Sequence, residues 1–281
     1  MNKFFIEIFK GQNRSVDSES TENIIFNEKN LKVSFKKKNF CYYKPSKNNN
    51  YFILSSISSS DRKKIIKKYD FINIKNSDSE ILLELYQKFG NKIFKIFGSS
   101  FFFFYFDFDN KNAFIARDHI GFNSIYYTKK EDSFFISSSL NNLKKNCGKN
   151  LKINFKILKK FLNLDAFSKD QTFFEDILKL PPSSVLEYRD NSISISSYPK
   201  FKDLTLSDSN ASQIEGLKMM LKKTILRDEE VKDDKVGFLF SGGIDSSTIL
   251  SFFNKYDKTH KKVFAYSAKF NHIEDSSKKY I

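Results

Sequence analysis

The chain has 281 residues, 40% of them apolar, and 48 Lys and Arg against 33 Asp and Glu leave a net charge of +15. That apolar content excludes wholesale disorder, and the length suits one large or two ordinary domains. The charge excess is almost all lysine, accompanies a parallel abundance of Asn, Ile, Phe and Ser, and is spread along the chain; it reads as coding bias on a solvated surface, not as the one-faced basic patch of a nucleic-acid binder.

The first fifteen residues, MNKFFIEIFKGQNRS, hold one short apolar patch broken by Glu7 and Lys10, unlike a signal peptide. The longest apolar run, FFFFYF at 101–106, is far below the ~20 residues of a spanning helix. A cytoplasmic protein with no membrane and no nucleic acid among its partners is expected. Cys41 and Cys147 fit neither a disulfide framework nor a metal-ligand spacing.

Residues 79–90, SEILLELYQKFG, set Ile81, Leu82, Leu85 and Phe89 at helical spacing, with Gly90 as the stop. Next, SSFFFFYFDFDNKNAFIARD reads as a hairpin turning at DNKN, and NSIYYTKKEDSFFISSS as a second one turning at Lys129 to Asp132. Four aromatic strands after one helix predict an α+β domain around a buried antiparallel sheet, with the phenylalanine run covered on both faces. Residues 154–163 read as a helix, and LPPSSVLEYRDNSISISSY as a hairpin around RDNS.

The polar segment KFKDLTLSDSNAS marks a boundary, giving domains 1–204 and 205–281. Beyond it, QIEGLKMMLKKTILRDEEV is an amphipathic helix with Ile214, Leu217, Leu221 and Ile225 on one side. A strand KVGFLF, a glycine turn, a helix DSSTILSFFNKY and a strand KVFAYSAKF follow. This β-α-β order opens a doubly wound parallel sheet, which two strands and two helices cannot complete.

Between that strand and helix lies SGGIDSS, residues 241–247. The glycines permit positive φ and close backbone approach. Free N–H groups at the start of the helix, with the positive end of its dipole, favour an anion such as phosphate. Ser241, Ser246 and Ser247 add hydroxyls, and Asp245 suits Mg²⁺ bridging to phosphate oxygens. The ending is not the Gly-Lys-Ser/Thr of a P-loop.

SGGIDSS after VGFLF resembles the pyrophosphate loop of the glutamine-dependent asparagine synthetases. ARDHIGFNSIYY is similar to that family's ARDRxGxKPLYY, SDSEILLELYQKFG to its SDTEVLLxxYxxxG, and TFFEDILKLPPSSVLEYRDNSISISSYPKF to its TxFxxIxxLPPGxxLxxxxGxxxxxxYW. The resemblance covers the chain from about residue 75 onward, in order. It implies an N-terminal-nucleophile-type α+β sandwich followed by the start of an α/β pyrophosphate-loop domain, and a carbon–nitrogen ligase. ATP and Mg²⁺ would adenylate a carboxylate, aspartate in the parent family, and an ammonia or amine donor would displace AMP. The partners it implies are these small molecules; dimerisation stays open.

Carried over singly, Ser241, Gly242, Gly243, Asp245 and Ser246 match the loop, with Asp245 as metal ligand. Phe240 stands where the family has a Leu whose backbone faces adenine. Ala268 takes the place of a β-branched residue lining the base, and Lys269 replaces the glycine beside it. In the glutaminase half, Asn2 stands where a cysteine nucleophile is expected, and an Asn side chain is no nucleophile. LSSISSSDRKK replaces NGEIYNYREL, so the oxyanion-stabilising Asn-Gly is missing. Asp78 matches the carboxylate that holds glutamine's amino group. The expectation is a glutaminase-like domain retained as structure, as in the resembling β-lactam synthetases, and a chain that stops inside the synthetase domain. A synthetase acting on another carboxylate, such as a sugar acid, and a non-catalytic binding module remain as alternatives.

Overall fold

The computed structural model describes residues 4–13, 18–19, 23–36, 41–43, 50–70, 76–146, 151–165, 170–198, 210–226, 235–257 and 261–268. The chain divides into two compact units, Met1–Lys202 and Asp203–Ile281.

In the first unit, strands β1 (Phe4–Asn13), β2 (Ser18–Glu19), β3 (Asn23–Lys36), β4 (Cys41–Tyr43) and β5 (Tyr51–Ile57) precede helices α1 (Ser59–Lys68) and α2 (Asp78–Phe89). After a 3-10 turn at Gly90–Lys95 come the hairpins β6 (Phe101–Asp107) with β7 (Asn112–Arg117) and β8 (Tyr126–Lys130) with β9 (Ser133–Ser137). Helices α3 (Leu140–Asn146) and α4 (Phe155–Leu162), the short β10 (Leu178–Lys179), and the hairpin β11 (Ser184–Arg189) with β12 (Ser192–Ser197) complete it. Among the described residues these strands form two six-stranded sheets, ordered β10-β8-β9-β1-β3-β2 and β12-β11-β7-β6-β5-β4, with antiparallel pairing throughout.

The two aromatic hairpins do not share a sheet, as the sequence reading has it. The β6–β7 hairpin lies in one sheet and β8–β9 in the other. The segment between them carries the chain across, because the phenylalanine run needs cover on both faces and one sheet supplies only one. Alternation along β6 divides the run. Phe102, Phe104 and Phe106 join Phe4, Ile6 and Ile8 of β1 and Leu31, Val33 and Phe35 of β3 in the core between the sheets. Phe101 and Phe103 point the other way, into Ile81, Leu82 and Leu85 of α2 and Phe94. On the far side, Leu143 of α3 packs with Phe5 and Phe135. The layers are helix, sheet, sheet, helix. Each buried Phe contributes roughly 1.5–3 kcal/mol relative to exposure.

The ends of α2 follow from its sequence. Ser77 caps it: its Oγ accepts from the Glu80 N–H at 3.3 Å, while Glu80 Oε2 accepts from the Ser77 N–H at 2.6 Å. Gly90, at φ 57°, ends it. Strands β1, β3, β4 and β5 and helix α1 are elements that the sequence reading does not supply.

Four phenols of this unit are held above their ordinary range. Burial is the largest cause at Tyr86, Tyr105, Tyr127 and Tyr198, each with a nearby carboxylate adding to it. Tyr105 is pushed up to about 12. A folded state that holds phenolic protons more tightly than the unfolded chain gains stability that is fully present below about pH 10 and lost as pH rises. The first unit is therefore expected to unfold in the window from about pH 10 up to the folded value near 12 of Tyr105. Near-ultraviolet absorbance and circular dichroism followed together should show the last fraction of tyrosinate appearing as the fold is lost. Complete tyrosine ionisation with the circular dichroism unchanged would contradict this.

The second unit contains α5 (Asn210–Ile225), β13 (Lys235–Leu239), α6 (Ile244–Tyr256) and β14 (Lys262–Tyr266). β13 and β14 pair in parallel, from Lys235 opposite Lys262 to Leu239 opposite Tyr266. The β-α-β order is thus realised, and Phe253 of α6 meets Phe238 edge-on at 5.0 Å. The apolar side read on α5 is only partly covered. Leu221 and Ile225 are half-buried, but Ile214 and Leu217 are 56% and 58% exposed. α5 meets α6 along its later turns, where Lys222 Nζ lies 4.5 Å from the Tyr256 ring centroid, and nothing described covers the earlier ones. The polar boundary segment lies largely outside the described residues.

Candidate functional site

The loop after β13 is built by backbone rules. The Phe240 N–H donates to the Tyr266 carbonyl at 2.8 Å, carrying the parallel ladder one step past the strand. Gly242 then turns the chain at φ 79°, a conformation that glycine adopts without steric cost. Gly243 is the N-cap of α6, and the Ser247 N–H donates to its carbonyl at 3.0 Å as the first helical bond. The N–H groups of Ile244, Asp245 and Ser246 therefore have no partner within the helix.

Two serines brace the turn. Ser246 Oγ donates to the Gly243 carbonyl at 3.2 Å and lies 3.2 Å from Ser241 Oγ. It also accepts from the Ser241 N–H at 3.3 Å, and the Gly243 N–H points at Ser241 Oγ at 3.4 Å. Asp245 is exposed in the first turn of α6, outside the ion pairs found among the described residues. Free N–H groups and the helix dipole make this end electropositive. Among the described residues no three His, Cys, Asp or Glu side chains converge on one point. The Asp245 carboxylate, exposed beside the N–H groups that open α6, would suit Mg²⁺ brought with phosphate oxygens.

Phe240, Ser241, Gly242, Gly243, Asp245 and Ser246 come together in this one loop. Ala268 follows β14, exposed, immediately after Ser267, whose Oγ donates to the Phe240 carbonyl at 2.7 Å. The Phe240 N–H is thus committed to the sheet, and its carbonyl accepts from Ser267. Ser267 is a residue that the sequence reading misses; its hydroxyl ties the end of one strand to the start of the loop. Lys269 lies outside the described residues.

In the first unit, Asn2 and Cys147 lie outside the described residues, and Cys41 begins β4. Asp78 is the first residue of α2. Its Oδ1 accepts from Arg62 Nη1 at 2.5 Å, and Arg62 Nη2 also donates to the Asn76 carbonyl. A guanidinium therefore already holds the carboxylate that the resemblance assigns to an amino group. Arg62 carries no signal in the sequence, because sixteen residues separate it from Asp78. Asp61 beside it is buried and accepts from the N–H groups of Gly98 and Ser99 at 3.2 and 2.9 Å.

The ARDHIGFN segment is a structural joint. Arg117, 2% exposed, donates to the carbonyls of Asn123 at 2.7 Å, Gly121 at 2.6 Å and Leu180. A Cβ on Gly121, which sits at φ 68°, would lie 2.6 Å from Arg117 Nη2, so glycine is required there. Asp118 accepts from the Phe122 N–H at 2.9 Å. Ser183, at φ 55°, occupies the place of the family's LPPG glycine. Its hydroxyl makes only long contacts, 3.3 Å to His119 Nδ1 and 3.4 Å to the His119 carbonyl. Ser183→Gly should raise stability by about 1 kcal/mol, by relieving the left-handed backbone. Urea unfolding measures it; a loss of stability would mean that the His119 contacts outweigh the strain.

Residues 62–199 match a family model described as a glutamine amidotransferase domain, and residues 220–280 one described as asparagine synthase. Over 202 residues the chain is 25% identical to "Putative asparagine synthetase [glutamine-hydrolyzing] 2" of Methanocaldococcus jannaschii, covering 69% of this chain and 38% of that protein. Over 188 residues it is 27% identical to "Amidase chry2" of Gibberella zeae, covering 64% and 27% respectively. The chain thus spans well under half the length of these relatives. Among solved structures, the glutamine phosphoribosylpyrophosphate amidotransferase of B. subtilis aligns over 96% of this chain and 60% of its own, at 9% identity and a TM-score of 0.43. Two adjacent matches in the order amidotransferase then synthase account for most of the chain from α1 onward, and they agree with the sandwich and the strand–loop–helix described above: the chain belongs to the asparagine synthetase family.

Proposed function

We propose that this chain serves ATP-dependent amide formation through an acyl adenylate, with the 241–247 loop holding the pyrophosphate. A substrate carboxylate oxygen attacks the α-phosphorus of ATP. The bond to the β-phosphate bridge breaks, and pyrophosphate leaves into the loop. Ammonia or an amine then attacks the acyl carbon and expels AMP. The N–H groups of Ile244, Asp245 and Ser246 stabilise charge on the leaving group, and the Ser241 and Ser246 hydroxyls orient it. Asp245 would hold Mg²⁺, which neutralises phosphate charge when bound. The observation that carries the reading is the Gly242 turn, with its unpartnered N–H groups at the start of α6.

The first unit serves as structure in this reading, so the nitrogen is free ammonia or a substrate amine. Aspartate is the first acid to test, and a sugar acid the next. No helix among the described residues is long and apolar enough to cross a membrane, and the reading places the reaction in the cytoplasm. Carboxylate-dependent exchange of labelled pyrophosphate into ATP is the test. Exchange with one acid, lost in Gly242→Val, supports the proposal. Mg-ATP binding without exchange for any acid would return a nucleotide-binding module, and no ATP binding would overturn both.

A further inference from the structure

A cavity of about 470 Å³ opens in the first unit, lined only by residues of that unit. Its size falls in the range of small-molecule sites, roughly 300–1,000 Å³. The walls are apolar, with Ile120, Leu140, Ile157 and Phe173 among them, and two cationic side chains, Arg117 and Lys179, line it. Arg117 is fixed by its donations to three backbone carbonyls, which satisfy its geometry without neutralising its charge. The buried Asp118 carboxylate accepts from the N–H groups of Phe122 and Asn123, and its charge also favours the charged form of Arg117, so the uncompensated cation at the cavity is Lys179.

Lys179 lines this cavity half-buried. No carboxylate among the described residues pairs with its ammonium, which sits 6.0 Å from the Tyr126 ring centroid. Burial first, and then the charge of Arg117, push its pKa down. A half-buried cation beside a second cation, facing an apolar cavity, is a cost to the folded protein that a bound anion would offset.

The geometry points to a binding site for an amphipathic monoanion: a carboxylate or sulfonate that meets Lys179 at the cavity wall, carried on an apolar chain or ring that fills the space between Ile157 and Phe173. The site is independent of the proposed synthetase reaction, since it shares no residue with the loop.

The probe is anilinonaphthalene sulfonate, paired with its uncharged analogue N-phenylnaphthylamine, on the full chain. Fluorescence titration should show Lys179→Met weakening the sulfonate by about tenfold, the scale of one lost charge-assisted contact. The neutral analogue should bind the variant as it binds the wild type, and Lys179→Arg should keep sulfonate affinity. On the unaltered protein, octanoate should displace the sulfonate and octanol should not, which decides the matter even if Lys179→Met fails to fold. Octanol displacing as well as octanoate, or Lys179→Met binding the sulfonate like wild type, would reduce the site to a patch of apolar surface and overturn the proposal.

Discussion

Glutamate release from glutamine by this chain should fall at least about four orders of magnitude below that of a cysteine-bearing relative, the scale on which a missing covalent nucleophile is felt. Asn2 offers no nucleophile, and the Asn-Gly of the oxyanion site is replaced by a stretch that the structure uses for the end of β5 and the start of α1. The structure adds a second reason. Asp78 accepts from Arg62 at 2.5 Å, with side chains only 19% and 27% exposed. An incoming ammonium would have to displace a guanidinium that is also bonded to the Asn76 carbonyl. Restoring the nucleophile alone, as Asn2→Cys, should therefore leave the rate at background. A glutaminase rate near the relative's in the wild type would refute the first statement. Recovery in Asn2→Cys would refute the second.

What was legible in the sequence is what is local in the chain. The α2 helix could be read because Ile81, Leu82, Leu85 and Phe89 repeat at helical spacing before a Gly90 stop, which ends it as expected; its Ser77 capping box is not part of that reading. The three hairpins after Phe101 could be read from their turns. Which sheet each joins could not, because that depends on the crossing held by Arg117 and on its bond to Leu180, a residue distant in sequence. β1 and β3 carry a clear alternation, Phe4, Ile6, Ile8 and Leu31, Val33, Phe35, all buried; the polar stretch NEKN inside β3 breaks it. The same division holds for the sites. The 241–247 loop lies within one strand–turn–helix and was readable from its glycines. Arg62 on Asp78, Ser267 on Phe240, and Arg117 beside Lys179 are meetings of separate elements, and spacing along the chain gives no sign of them.

Titration with Mg-ATP should separate the two parts of the loop's affinity. In the wild type, binding rests on the N–H groups of Ile244, Asp245 and Ser246, on the dipole of the thirteen-residue α6, and on Mg²⁺ held by Asp245. Magnesium should therefore strengthen it. Asp245→Ala removes the only carboxylate in the first turn of α6 but leaves the helix end intact. It should lose most of the magnesium dependence and keep weak anion binding, because a helix terminus alone is worth about 0.3–1 kcal/mol to an anion at an exposed site. Gly242→Val acts differently. At φ 79° a β-branched residue is a steric outlier, so the turn must open, and the Ser241–Ser246 brace and the unpartnered N–H groups move out of register together. Both the magnesium-dependent and the magnesium-independent binding should disappear. Unchanged urea unfolding of the first unit would confirm that the damage is confined to the loop. Equal binding by the wild type and both variants would mean that the glycines serve only to turn the chain.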